Sequence, residues 1–176
     1  YTQSEQLLSL LNWKEAMRAN NQAEQLLTSI LNYVHYINEL EVVKFLQDIL
    51  DALFGIISLE INRKGQMDDL AFAALVFILG IVGDRRFMNF RSTLFSYIEK
   101  SFNWQHTAAH LMGPMRKLLA DQRATGLRES IKVWEYLFSF IMQARVLQRE
   151  TEAKSKDPMA DANERHFKEE LNMLLD

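Results

Sequence analysis

The sequence predicts an all-α fold, a HEAT/armadillo-like stack of antiparallel helix pairs. Three observations carry that expectation. The run Leu70 to Gly83, LAFAALVFILGIVG, holds no charged residue and no side chain with a hydrogen-bonding group, and its apolar positions go all the way round a helical wheel. Such a helix must be wrapped by neighbours or by lipid, and at fourteen residues it falls short of the roughly 18–20 needed to cross a bilayer. Only six Gly and two Pro punctuate 176 residues, few for an all-β or loop-rich chain. Finally, DALFGII, STLFSYI and EYLFSFI place Leu53, Leu94 and Leu137 at separations of 41 and 43 residues, within the roughly 40–47 of HEAT and armadillo units. Chance recurrence of common core material is the alternative; the helix spacing supports the repeat independently.

Taken in order, Ser4 to Leu11 is a short amphipathic turn or two. Three Asn-x-x-Glu boxes, Asn12/Glu15, Asn21/Glu24 and Asn38/Glu41, each predict a helix start, the Asn side chain accepting a free backbone N–H. Residues 1–21 read as a weakly packed helical lead-in, 22–150 as the helical-repeat core. Leu26, Leu27, Ile30, Leu31, Val34 and Ile37 recur at helical spacing. Glu39 to Leu59 is the clearest amphipathic helix, with Lys44, Gln47, Asp48 and Asp51 on its polar face. Glu60 to Gln66 predicts a loop. The central helix follows, with Asp68 and Asp69 in its first turn, where the helix dipole favours negative charge, and Gly83 placed to end it.

Asp84 to Asn89 turns the chain, and Phe90, Leu94, Tyr97, Ile98 and Phe102 mark another helix. Asn103 is positioned to cap a helix beginning at Trp104, which Gly113–Pro114 should kink or break. Leu127 to Arg149 predicts one long helix, with Ile131, Trp134, Leu137, Phe138, Ile141 and Ala144 on one side. Residues 151–176 read as a charged, solvated linker, Thr151 to Asp157, and a docking helix that starts at Asp157–Pro158 and packs through Phe167, Leu171, Leu174 and Leu175. The expected core is Leu46, Leu50, Leu53, Phe72, Leu75, Ile78, Leu79, Leu94, Ile98, Leu137 and Ile141.

Composition excludes several functions. With 48% hydrophobic residues the chain suits one compact domain. A net charge of −3 argues against an electrostatic nucleic-acid binder. Zero cysteines rule out a disulfide framework and permit an intracellular setting. No spanning segment or signal peptide is evident, and the start at Tyr1 rather than Met suggests a piece of something longer. No phosphate-binding Gly loop, nucleophile elbow or Cys-based metal motif is present. His106 and His110 stand at i and i+4, but the zinc-protease pattern needs Glu where Thr107 stands, so no metal site, cofactor or catalytic residue is assigned. Asp48 and Asp51 read as a solvated face beside Lys44. Phe54, Phe72, Phe77, Phe95, Trp134 and Phe138 follow helical spacing and read as core.

Three blocks sharpen this. They are EVVKFLQDILDALFGI (Glu41 to Ile56), ALVFILGIVGDRRFMNF (Ala74 to Phe90) followed by YIEKSF (Tyr97 to Phe102), and WEYLFSFIMQARVL (Trp134 to Leu147). In order and spacing they resemble the helical middle region of the DOCK (dedicator of cytokinesis) family of exchange factors, in its Rac-activating branches, over a stretch from about Leu11 to the C-terminus. The resemblance implies an armadillo-like superhelix between a lipid-binding C2-type domain and a catalytic exchange domain, and nothing here resembles the exchange domain. It further implies a non-catalytic scaffold in a cytoplasmic protein recruited to the plasma membrane, with an ELMO-type adaptor or a Rap/Ras-type small GTPase as partner and Rac engaged elsewhere in the parent. The competing readings are a fragment with exchange activity of its own and a membrane-surface helical module. The acidic balance and the lack of a Lys/Arg-rich helix face weigh against the second.

A partner surface is expected at one end of the stack. Antiparallel neighbours put Lys44 near Arg85 and Arg86, with Arg123 and Arg128 at the same end. This predicts a basic edge for an acidic partner. A solvated edge is the favoured alternative, because Glu39, Glu41, Asp84, Asp121 and Glu129 lie in the same loops.

Overall fold

The computed structural model describes residues 4–175. Among them there are eleven α-helices and no strand. They are α1 (Glu5–Leu11), α2 (Trp13–Arg18), α3 (Ala23–Tyr33), α4 (Glu39–Lys44), α5 (Leu46–Ile57), α6 (Asp68–Val82), α7 (Arg91–Ser96), α8 (Ala108–Ala120), α9 (Leu127–Ile131), α10 (Trp134–Ser155) and α11 (Ala160–Leu175). The fold is the expected helical-repeat stack, with α6 at its centre touching α3, α4, α5, α8 and α9. Every residue of the expected core is buried, and Leu53, Leu94 and Leu137 of the recurring motif have no exposed surface. Phe54, Phe102 and Phe140 meet in an aromatic cluster, with ring centroids 4.8–5.3 Å apart.

The lead-in packs more firmly than its composition predicts. Leu7 and Leu10 are fully buried and Trp13 is 5% exposed, because α1 lies on α3 and α5. Trp13 reaches Gly55, where a Cβ would come within 2.9 Å of its ring. Residues 1–3 lie outside the described part. Of the three Asn caps, Asn38 accepts the Leu40 amide at 2.9 Å. Asn12 makes no cap bond, and Asn20 rather than Asn21 accepts near the start of α3, from Gln22. Ser4 caps α1.

Helix boundaries depart from the periodic reading at several places. The helix expected from Glu39 kinks at Phe45 (φ −109°, ψ 27°), while backbone bonds from Phe45 to Glu41 and from Ile49 to Phe45 carry across the kink. The bend lets α4 and α5 both follow α6. The helix after Phe90 runs as α7 and then widens into a π-helical turn, Tyr97–Ser101. That turn carries Tyr97 to Asp51, which accepts its hydroxyl at 2.6 Å and the Trp104 indole N–H at 3.3 Å. Burial, and then the Asp51 carboxylate, push the Tyr97 phenol far above its usual range, so it remains a donor. Trp104 is thereby held in a turn and α8 starts at Ala108, with Thr107 bonded back to the Trp104 carbonyl. Asn103 caps nothing.

Pro114 does not break α8, which runs from Ala108 to Ala120. Gly113 before it has no Cβ to meet the proline ring, which relieves part of the usual pre-proline clash. By contrast, the expected Leu127–Arg149 helix divides at Lys132–Val133. Val133 turns inward and is 2% exposed, and Ile131, expected on the same helix side as Leu137 and Ile141, turns out to 50% exposure. Leu175 is likewise exposed.

The expected solvated linker is mostly helix, since α10 continues to Ser155. Glu152 is buried there because Arg145, itself 1% exposed, faces it. The Arg145 guanidinium donates to Glu152 at 3.3 Å and to Glu164 of α11 at 2.7 Å, and Arg149 reaches Glu164 at 2.6 Å. Arg145 also stacks on Phe167 at 5.8 Å. This ionic clamp ties α11 to α10. Lys156, in the left-handed region at φ 52°, turns the chain, and Asp157 accepts the Met159 amide in the turn before α11, which starts at Ala160 rather than at Pro158.

Candidate interaction surface

Two features of the described surface have the form of a binding site, and both border α6. The first is the turn after α6, where Arg85 and Arg86 stand near the start of α4. Asp84 caps the turn Arg85–Phe90, accepting the Arg86 amide at 2.9 Å. The Arg86 guanidinium bonds back to Asp84 at 3.1 Å and reaches Glu39 at the start of α4, 2.8 Å away. The start of α4 therefore lies beside the end of α6. Hydrogen bonds from Arg86 hold the Asp84 carboxyl below its usual range, so both partners stay ionised. Lys44 lines a cleft with Phe87 and Phe90 of the same turn, its ammonium 5.3 Å from the Phe45 ring. Arg123 and Arg128 flank Gly126, whose φ of +90° lets the chain reverse into α9. Arg85, Arg123 and Arg128 are exposed. Asp121 and Glu129, also exposed, stand in the same segment as the last two, so the local field is mixed.

The second feature is a groove of about 990 Å³ along α6. Its floor is Ala73, Phe77 and Gly80, within about 60° of one another on a helix turning 100° per residue. Ala73 and Gly80 are exposed and Phe77 is half-buried. One wall is His35 and Glu39, with His35 tilted against Phe77 at 5.1 Å; the other is α8, the loop after it and α9. Sequence reasoning assigned Phe77 to the core and α6 to complete enclosure. The correction is that neighbours cover α6 on all but this face. A wheel reports how apolar each face is but not which face a distant segment covers, and the small pair Ala73 and Gly80 was the available signal.

The histidines of HTAAH diverge. His106 is exposed, whereas His110 bonds Asp68 at 2.8 Å. Asp68 in turn accepts from buried Asn62, whose own oxygen accepts the Met67 amide. The pair thus clasps α8 to the loop before α6. Asp51, read as solvated, is exposed, and it also joins Tyr97 to Trp104. Among the described residues no helix is long and apolar enough to cross a membrane.

Comparison with known proteins agrees with the architecture. Residues 23–176 match the family model for the dedicator of cytokinesis (DOCK) TPR region. Over 150 residues the chain is 33% identical to dedicator of cytokinesis protein 3 of Mus musculus and 32% identical to that of Homo sapiens. It is 30% identical over 150 residues to dedicator of cytokinesis protein 4 of Homo sapiens. Each match covers 83% of this chain and 7% of the relative, so the chain spans a small part of the proteins it resembles.

Proposed function

The chain belongs to the dedicator of cytokinesis family, and from that premise we propose that it is a non-catalytic helical scaffold within a guanine nucleotide exchange factor for Rac-type GTPases. Its work is mechanical and associative: it holds the parent's other domains at a set separation and offers a surface to a protein partner. That surface is the basic end of the stack, formed by Lys44, Arg85, Arg86, Arg123 and Arg128, and it receives the acidic effector face of a Rap/Ras-type small GTPase or an acidic face of an ELMO-type adaptor. The observation that carries this reading is the exposure of Arg85, Arg123 and Arg128 without an ion pair among the described residues, next to an Arg86 already balanced by Glu39 and Asp84. Exposed charge of this kind acts mainly on encounter rate.

Two measurements test it. Release of fluorescent GDP from Rac should proceed at the same rate with and without the chain, and acceleration would overturn the scaffold reading. Binding to a GTP-loaded Rap/Ras-type GTPase should associate more slowly, with weaker salt dependence, in the Arg85→Glu/Arg86→Glu variant. Unchanged association in a variant of native helicity removes this end from consideration.

A further inference from the structure

The groove over α6 adjoins that surface, with Arg86 on the border of both, and carries an argument of its own. Its floor alternates small, large and small: Ala73, Phe77 and Gly80. Open space surrounds the point where a Cβ on Gly80 would stand. Notches of this kind beside a ridge receive the side chains of a facing helix. The floor offers an occupant no hydrogen-bonding side chain, and its amides are spent inside α6. An extended peptide would leave its own backbone groups unpaired there, whereas a helix satisfies its backbone internally. From Asp69 to Asp84 the groove runs roughly 20 Å, the length of about four helical turns.

The rim selects by charge. It carries five carboxylates against three Lys or Arg side chains. Arg86 is already paired with Glu39 and Asp84, and Lys117 with Asp69 at 3.1 Å. Asp121 and Glu129 face the groove with no cation partner among the described residues. An acidic rim repels an anionic lipid surface and favours a basic occupant.

We propose that this groove docks one helix of a partner protein, with an apolar stripe at i, i+3, i+4 and i+7 and Lys or Arg along its flanks. This is a helix-in-groove contact. Its floor lies beside the basic end, with Arg86 common to both rims, and its preferred charge is opposite.

The test is selection of a displayed library of 16-residue peptides against the 176-residue chain. A parallel selection uses Gly80→Trp, which fills the groove from a position with room for the ring. The expected binders are helical, carry the apolar stripe and a net positive charge, and lose about tenfold or more in affinity on Gly80→Trp, with the thermal melt of that variant unchanged. If Gly80→Trp lowers the melt, Ala73→Gln, at an already exposed position, takes its place with the same expectation. Acidic binders, binders without helical periodicity, binders indifferent to both variants, or no binders would each overturn the proposal. So would a dimer of the chain that Gly80→Trp splits, since a second copy would then be the occupant.

Discussion

Removing Arg145 should unfasten the C-terminal helix. In Arg145→Met the aliphatic stem is largely kept, but the guanidinium is lost, and with it the stacking on Phe167. Glu164 keeps Arg149, at 2.6 Å. Glu152, 6% exposed, keeps the Asn163 amide at 2.9 Å and, of the cations, only the more distant charge of Arg149. A buried carboxylate without its cation costs about 3–5 kcal/mol. Against a domain stability of roughly 5–15 kcal/mol, that is a large share. Replacing both partners, as Arg145→Met/Glu152→Leu, removes the stranded charge and should return stability to within about 1 kcal/mol of the parent. Urea unfolding followed by helical circular dichroism, arranged as a double-mutant cycle, reads the coupling directly. A loss under about 1 kcal/mol for Arg145→Met, or a double variant no more stable than the single one, would refute the claim that the clamp works through desolvated charge.

The same clamp predicts acid sensitivity. Arg149 and then Arg145 hold the Glu164 carboxyl down to about 2, so its contribution is complete above the ordinary carboxylate range, near 4.5, and is lost as pH falls from there toward 2. Glu164→Gln should flatten stability over that window in an acid titration. Leu75→Ala, at a fully buried site of α6, should cost about 2–5 kcal/mol in urea unfolding. Two helical glycines should behave oppositely in thermal melts. Gly55→Ala meets the Trp13 ring at 2.9 Å and should destabilise by about 1–3 kcal/mol. Gly80→Ala meets nothing within 4 Å and should stabilise by about 0.5–1 kcal/mol.

Much of the fold was legible in the chain because helical burial leaves a local record. A residue and its neighbours three and four positions away share a face, so apolar spacing alone located Leu46, Leu50 and Leu53, or Leu137 and Ile141. Cap positions were less legible. Asn38, Asn12 and Asn21 carry the same local signal, yet of these Asn38 alone bonds its helix start, because the neighbouring packing fixed where α2 and α3 begin. For the surface, the cations could be named but their company could not. Glu39 and Arg86 are far apart in sequence, and only the return of α4 alongside the end of α6 makes them an ion pair.

By itself, then, the amino-acid sequence determined the all-helical class, the buried rows of each helix, the centrality of α6 and the family resemblance. Each is written in short-range periodicity or in the order of blocks. Tertiary structure decided which face of α6 stays open, where Val133 turns inward and Ile131 outward, and that Arg145 and Glu152 are buried together rather than solvated. Those outcomes depend on how distant segments share a limited covering surface. A charged pair reads as solvent-facing until another helix closes over it, and an apolar face reads as core until its neighbours have been placed and none covers it.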